Sequence, residues 1–230
     1  MKTSVYIPCI PDHWHNIAMI VECYECGTVK PDEIVIFLSG MEGIKIPLPH
    51  NLVHLDWTRR SSTIEIKVIK KQKLYKSGDA RNQAEVACSG DIIVFQDADD
   101  FPMPNRIEHT LFLFEKYGMD LLLNSYVFFH DYIRDKRPEE QEQIWRNADI
   151  FNSANEPTPP CAMAAGAISI RKKLLHRKAY THIDGQVGGE DMKFIQKCFD
   201  LRIIATNKVL YIYRNQSSYY LRLMDKELRR

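Results

Sequence analysis

The chain has 230 residues, 45% of them hydrophobic and 27% charged, and a formal net charge of +1. This is an ordinary soluble globular composition, and a charge so close to zero gives no whole-molecule argument for a nucleic-acid partner or a membrane surface. No stretch approaches the roughly 18 apolar residues of a transmembrane helix. The opening "MKTSVYIPCIP" is too short for a signal peptide and is interrupted by Pro8 and Pro11, so a cytoplasmic location is expected. The six cysteines are scattered and read as free thiols, and Cys23-x-x-Cys26 lacks the second pair that a zinc site needs.

In chain order, Thr3–Pro8 reads as a first strand, and His13–Cys26 has helical apolar spacing through Ile17, Ile20, Val21 and Tyr24. "EIVIFLSG", Glu33–Gly40, is a second buried strand, and Val53–Asp56 a short third one. Residues 57–74 are polar and basic and carry no clear period. Ser77–Cys88 predicts a helix whose small residues suit close packing on a sheet. Asp91–Gln96 is a buried strand, after which "FPMP" ends regular structure. Asn105–Tyr117 is an amphipathic helix with Asn105 as its N-cap, and Leu121–Phe129 is a long strand. The charged stretch from Arg134 to Asn147 and the loop Asn152–Pro160 suggest a mobile excursion over the sheet edge. Gly166–Leu175 reads as a strand running into a helix, Gly188–Phe199 opens another helix, and Arg202–Tyr213 supplies late strands. The alternation of strand and helix predicts a mostly parallel central sheet flanked by helices, in one domain.

Chemistry concentrates in three places. "DIIVFQDADD" runs a buried strand into Asp97, Asp99 and Asp100, at the end of a strand where open α/β sheets place their ligands. In extended backbone, residues two apart share a face, so Asp97 and Asp99 would point together. Hard carboxylate oxygens suit Mg²⁺ or Mn²⁺, with open positions for phosphate oxygens. "SGDARN" puts Arg81 and Asn82 near a helix start, where the arginine can pair with an acid or a phosphate. "GGED" leads two glycines into Glu190 and Asp191. The bland reading is helix capping, and the functional one is a close approach with a general base.

These motifs, in this order, resemble the family-2-like glycosyltransferases with the GT-A (nucleotide-diphospho-sugar transferase) fold. "GDARNQAEVACSGDIIVFQDADD" is similar to that family's helix and the strand ending in its D-x-D motif; "PNRIE", "GAISIRKKLL", "GGEDMKF" and "LYIYRNQSSYYLR" follow as its later segments do. The resemblance implies a single domain over 1–230, with a nucleotide-binding half at 1–105 and an acceptor-binding half at 106–230. It implies that Asp97, Asp99 and Asp100 hold Mn²⁺ or Mg²⁺ and the nucleotide, and that Arg81 and Asn82 line the nucleotide pocket. Pro8, Ser39 and Arg214 would also border the donor. Asp191 would be the catalytic base and Glu190 would grip a sugar. The implied reaction is metal-dependent, inverting transfer from a nucleotide-sugar donor, UDP-sugar favoured, to a hydroxyl of a glycan or other acceptor. Ser39-Gly40 stands where many relatives have an aspartate, and Arg214 near where they often have a histidine.

Two other readings are open. A sugar-phosphate nucleotidyltransferase would want a glycine-rich basic loop after the first strand, and "IPCIPDHWHN" has no glycine. A catalytically inactive carbohydrate- or nucleotide-binding relative would break the acidic or base motif, and both are intact.

Overall fold

The structure is a computed structural model that describes residues 1–42, 64–134, 144–153, 165–181 and 189–214. Its frame is set by strands that are apolar on both faces. β1 (Thr3–Cys9) and β2 (Glu33–Leu38) are buried almost throughout, as strands covered by helices on both sides must be. They pair in parallel, and β1 also pairs in parallel with β4 (Ile92–Phe95). The outer strand on this side is β3 (Glu65–Lys70), parallel to β2. It comes from the basic stretch whose period was not clear. "EIKVIK" alternates as an edge strand does, and its lysines keep that edge from pairing further. The short strand expected at Val53–Asp56 lies outside the described residues.

Helices cover both faces. A 3₁₀ turn (Pro11–Asn16) replaces the first turn of the expected helix, and α1 (Ile17–Glu25) then buries Ile17, Ile20, Val21 and Tyr24. The helix expected over Ser77–Cys88 is two short ones, α2 (Ser77–Asn82) and α3 (Ala84–Ala87). They meet at Gln83, whose N–H closes a tighter bond to Ala80 O. α4 (Arg106–Tyr117) ends at Gly118 with φ +56°, the left-handed stop that glycine tolerates. Asn105 is its N-cap residue, but the Asn105 side chain makes no capping bond. With φ −94° and ψ 11° the backbone is not in the extended geometry such a bond needs.

Beyond β4 the sheet becomes mixed. "FPMP" does not end regular structure: Phe101–Pro102 forms β5. It is followed by β6 (Leu121–Phe128), a short helix α5 (Phe129–Ile133), β7 (Ile144–Arg146), α6 (Asn147–Ser153), β8 (Ile168–Arg171), α7 (Glu190–Lys197) and β9 (Ile203–Tyr213). The strand order is β3-β2-β1-β4-β8-β6-β9-β5, with β7 also on β9. β8 is antiparallel to β4 and β6, while β9 is parallel to β6 and antiparallel to β5 and β7. The helix expected after β8 is only a 3₁₀ turn, Lys172–Leu174. Of the expected excursion around 134–160, the described part is no excursion. Ile144–Arg146 joins the sheet and Asn147–Ser153 forms α6, while 135–143 and 154–160 lie outside the described residues.

One core packs α1 and α4 on one face of the sheet; a second packs α2, α3 and α7 on the other. β1, β2, β4, β6 and β9 all run the same way, so their C-terminal ends share one edge. Among the described residues no helix is long and apolar enough to cross a membrane. The five described cysteines form no disulfide.

Candidate active site

β4 delivers the acidic segment to that edge. Past Phe95 the chain does not stay extended; it turns, with Asp100 N–H on Asp97 O at 3.3 Å. Gln96 locks the turn by donating its side-chain amide to Asp97 O at 2.9 Å and Asp100 O at 3.0 Å. The face-sharing argument for Asp97 and Asp99 therefore fails. All three aspartates nonetheless line one pocket of about 390 Å³.

Their roles in the turn differ. Asp97 accepts from Arg81 Nη2 at 2.6 Å and from Gly166 N–H at 3.1 Å. Asp100 is buried and accepts from Tyr211 Oη and from Arg214 N–H, both at 2.8 Å. Burial, then the Asp97 and Asp99 charges, push its carboxyl up to about 8. Asp99 is half-buried on the pocket wall. Burial and Asp97 raise its pKa, while His13 and Arg214 pull the other way. The cluster therefore holds more negative charge than its surroundings neutralise, which a divalent cation would relieve.

Among the described residues no three His, Cys, Asp or Glu side chains form a ready metal cage. With Asp97 and Asp100 already engaged, the donor set fits an ion held chiefly by Asp99 and completed by substrate oxygens and water.

The other expected residues divide. Pro8 and Ser39 line the pocket, together with Cys9, Ile10 and Tyr75, as a wall without charge. Arg81 also lines it, largely buried, bonded to Ser77 Oγ as well as Asp97, and 3.9 Å from Glu190. Asn82 does not line the pocket. Its side chain clamps Tyr180, donating to Tyr180 O at 2.9 Å and accepting from Tyr180 N–H at 2.7 Å. Tyr180 in turn stacks flat on Phe194 of α7 at 4.0 Å. Asn82 thus ties α2 to the helix that carries Glu190 and Asp191. Both acids line the pocket, at the start of α7. Gly189, just before them, takes φ +82°, a backbone that side chains other than glycine rarely adopt. Arg214 does not line the pocket either. It braces the turn through its backbone N–H on Asp100, while its side chain donates Nη1 to Asn16 Oδ1 at 3.0 Å and lies over Phe101 at 5.2 Å.

Sequence reasoning missed three residues that build the turn. Arg106 is fully buried, donating to Phe95 O and Gln96 Oε1, each at 2.7 Å, and to Gly166 O. Its guanidinium sits 4.9 Å from the Tyr211 ring centre. Tyr211 Oη also accepts from Asp97 N–H at 3.2 Å. At Gly166 a Cβ would lie 1.9 Å from Tyr211 Oη and 2.8 Å from Asp97 Oδ2, so no side chain fits. The one available signal was Gly166 itself, a glycine two residues before a strand.

This sheet, with its acidic turn at the end of β4, is the GT-A arrangement, and the class it defines is the glycosyltransferases. The chain belongs to glycosyl transferase family 2, whose model matches residues 57–178. A curated relative, the glycosyltransferase GlyA of Streptococcus pneumoniae serotype 4, is 27% identical over 144 residues, 59% of this chain. The match spans only 20% of that protein's length. Among solved structures, S. aureus TarS 1–349 in complex with UDP-GlcNAc aligns with TM-score 0.64 at 16% identity, over 96% of this chain and 61% of that one. Mannosyltransferase PcManGT from Pyrobaculum calidifontis, in complex with GDP-Man and Mn²⁺, aligns with TM-score 0.64 at 16% identity, over 98% and 60%.

Proposed function

We propose that the chain is a metal-dependent, inverting glycosyltransferase that uses a nucleoside-diphosphate sugar, UDP-sugar favoured, and a hydroxyl acceptor such as a glycan. One observation carries the reading. A neutral wall, a charged turn and the Glu190–Asp191 pair face a single pocket of about 390 Å³. A nucleotide sugar has the matching parts in the matching order: a flat neutral base, a diphosphate that brings a cation, and a sugar. The bound UDP-GlcNAc and GDP-Man of the two structural neighbours support that choice of donor. We take the chain as one domain, with the nucleotide half at 1–105 and the acceptor half at 106–230.

Pro8, Ser39 and Tyr75 would receive the base, and Arg81 would hold Asp97 and the turn in place. Mn²⁺ or Mg²⁺, held by Asp99 with Asp97 and Asp100 behind it, would supply neutralisation of the departing diphosphate. Asp191 would take the proton of the acceptor hydroxyl as its oxygen attacks the anomeric carbon from the face opposite the leaving group. The bond from that carbon to the diphosphate oxygen breaks, and its electron pair leaves with the diphosphate. The positive charge of Arg81 lies within electrostatic reach of Asp191. Glu190 would bind sugar hydroxyls. Much of the acceleration would come from holding donor and acceptor in line.

The nucleotidyltransferase alternative wants phosphate-cradling glycines after β1. The chain there is the 3₁₀ turn Pro11–Asn16 instead.

Calorimetric titration of UDP and GDP, each with and without Mn²⁺, tests the reading. Metal-dependent binding of either nucleotide is expected. A folded protein that binds neither would overturn it.

A further inference from the structure

Across the acidic turn from the neutral wall stands an aromatic cluster that the mechanism above does not use. Tyr126 and Phe128 lie at the C-terminal end of β6, and Tyr213 at that of β9. The register pairs Tyr126 with Tyr211 and Phe128 with Tyr213, so all four rings project to one face. Their neighbours Val127 and Ile212 belong to the core on the other face. The aromatic face is therefore the one that carries Arg81 on α2 and the acids of α7. Tyr211 is buried on the turn, but Tyr126, Phe128 and Tyr213 are only half-buried. Their ring centres lie 5.2 to 5.9 Å apart. Tyr213 lines the pocket itself, together with Asp97, Asp99 and Asp100.

We propose that Tyr126, Phe128 and Tyr213 form the acceptor subsite and that it takes a neutral pyranose ring. The inference rests on the glycosyltransferase reading above and names its acceptor class. Aromatic faces carry negative charge density and attract the polarised C–H bonds on one side of a sugar ring. The nearby carboxylates accept hydroxyl protons and repel anionic acceptors such as polyol phosphates. The tyrosine hydroxyls and the acids make the surroundings too polar for an acyl chain. Strand order points the same way. With the base on β1 and β2, the rest of the donor crosses the β4 turn toward β6 and β9, where the incoming hydroxyl must wait.

Saturation-transfer NMR on the full chain, loaded with UDP and Mn²⁺, tests this. The probes are methyl β-D-glucopyranoside, methyl β-D-galactopyranoside and methyl N-acetyl-β-D-glucosaminide, with glycerol as a ringless polyol. At least one pyranoside should receive saturation on its ring C–H protons, and glycerol should not. Tyr126→Leu and Phe128→Leu, which keep apolar bulk and remove the ring, should each weaken that transfer about fivefold or more. Calorimetric binding of UDP with Mn²⁺ should be unchanged in both. Absence of transfer to every pyranoside, or transfer equal to wild type in both variants, would overturn the proposal while leaving the donor reading intact. Failure of the wild-type protein to bind nucleotide would instead sink the donor reading.

Discussion

Replacing Tyr211 by phenylalanine removes one oxygen and tests whether the acidic turn is held as described. That oxygen donates to Asp100 Oδ2 at 2.8 Å and accepts from Asp97 N–H at 3.2 Å. Both bonds are lost in Tyr211→Phe, and nothing else in the ring's packing on Arg106 changes. A net hydrogen bond is worth about 1 kcal/mol, and a buried acceptor left short of a donor costs about 1–3 kcal/mol more. The Arg214 N–H still reaches Asp100, so the lower part of that range applies and the sum is about 2–3 kcal/mol. For a chain of this length each kcal/mol moves the midpoint by about 2–4 °C, so Tm should fall by about 4–12 °C. Circular dichroism melts of metal-free protein measure it. Tyr213→Phe is the control: among the described residues its hydroxyl has no hydrogen-bond partner, and its Tm should stay within about 2 °C. A Tyr211→Phe melt indistinguishable from wild type would refute the hydroxyl as a fastening of the turn.

Further outcomes follow from the same geometry. Asp191→Asn should abolish sugar transfer yet keep nucleotide binding; transfer at the wild-type rate would remove Asp191 from the base role. Asp99→Ala should weaken Mn²⁺-dependent nucleotide binding by about tenfold or more, read by calorimetry. Gly166→Ala should destabilise by more than about 2 kcal/mol in denaturant melts, because its Cβ meets Tyr211 Oη at 1.9 Å. Glu33 predicts an acid limb. Burial would raise its pKa, but Lys67 at 2.6 Å, the Ser4 hydroxyl and the Ser89 amide together lower it to about 2. Since the folded value lies below the unfolded one, its stabilisation is full above about pH 4.5 and is lost as pH falls toward 2. It amounts to at most about 3 kcal/mol, as Lys67 is partly exposed, and Glu33→Gln should flatten that limb.

The fold was readable where a single physical signal dominates. The buried runs of β1, β2 and β4 announce central strands, and the spacing of Ile17 to Tyr24 announces α1. β3 was harder because an edge strand must carry lysines, which blur its period. At the site, Asp97, Asp99, Asp100, Glu190 and Asp191 were legible as chemistry-bearing types beside breakers, and they do come to one pocket. Asn82 and Arg214 lie outside the pocket lining, and polarity alone does not say whether a side chain faces a ligand or a neighbouring residue. Arg106 and Tyr211 gave no signal. An arginine opening an amphipathic helix reads as solvated, and a tyrosine within "VLYIY" reads as core. Only tertiary pairing makes them the floor beneath the carboxylates.

The fastening of the acidic turn also sets an order of events in folding. Asp100 meets its two donors across 111 and 114 residues, both from the end of β9. Contacts this distant in sequence close late, after the local and neighbouring-strand contacts have formed. During synthesis the three aspartates would emerge long before Tyr211, and would stay loosely held until the eleven-residue β9 docks. A growing chain would thus carry its sheet and its acids without the geometry to use them. The geometry of the acidic turn is completed in one step, when β9 docks.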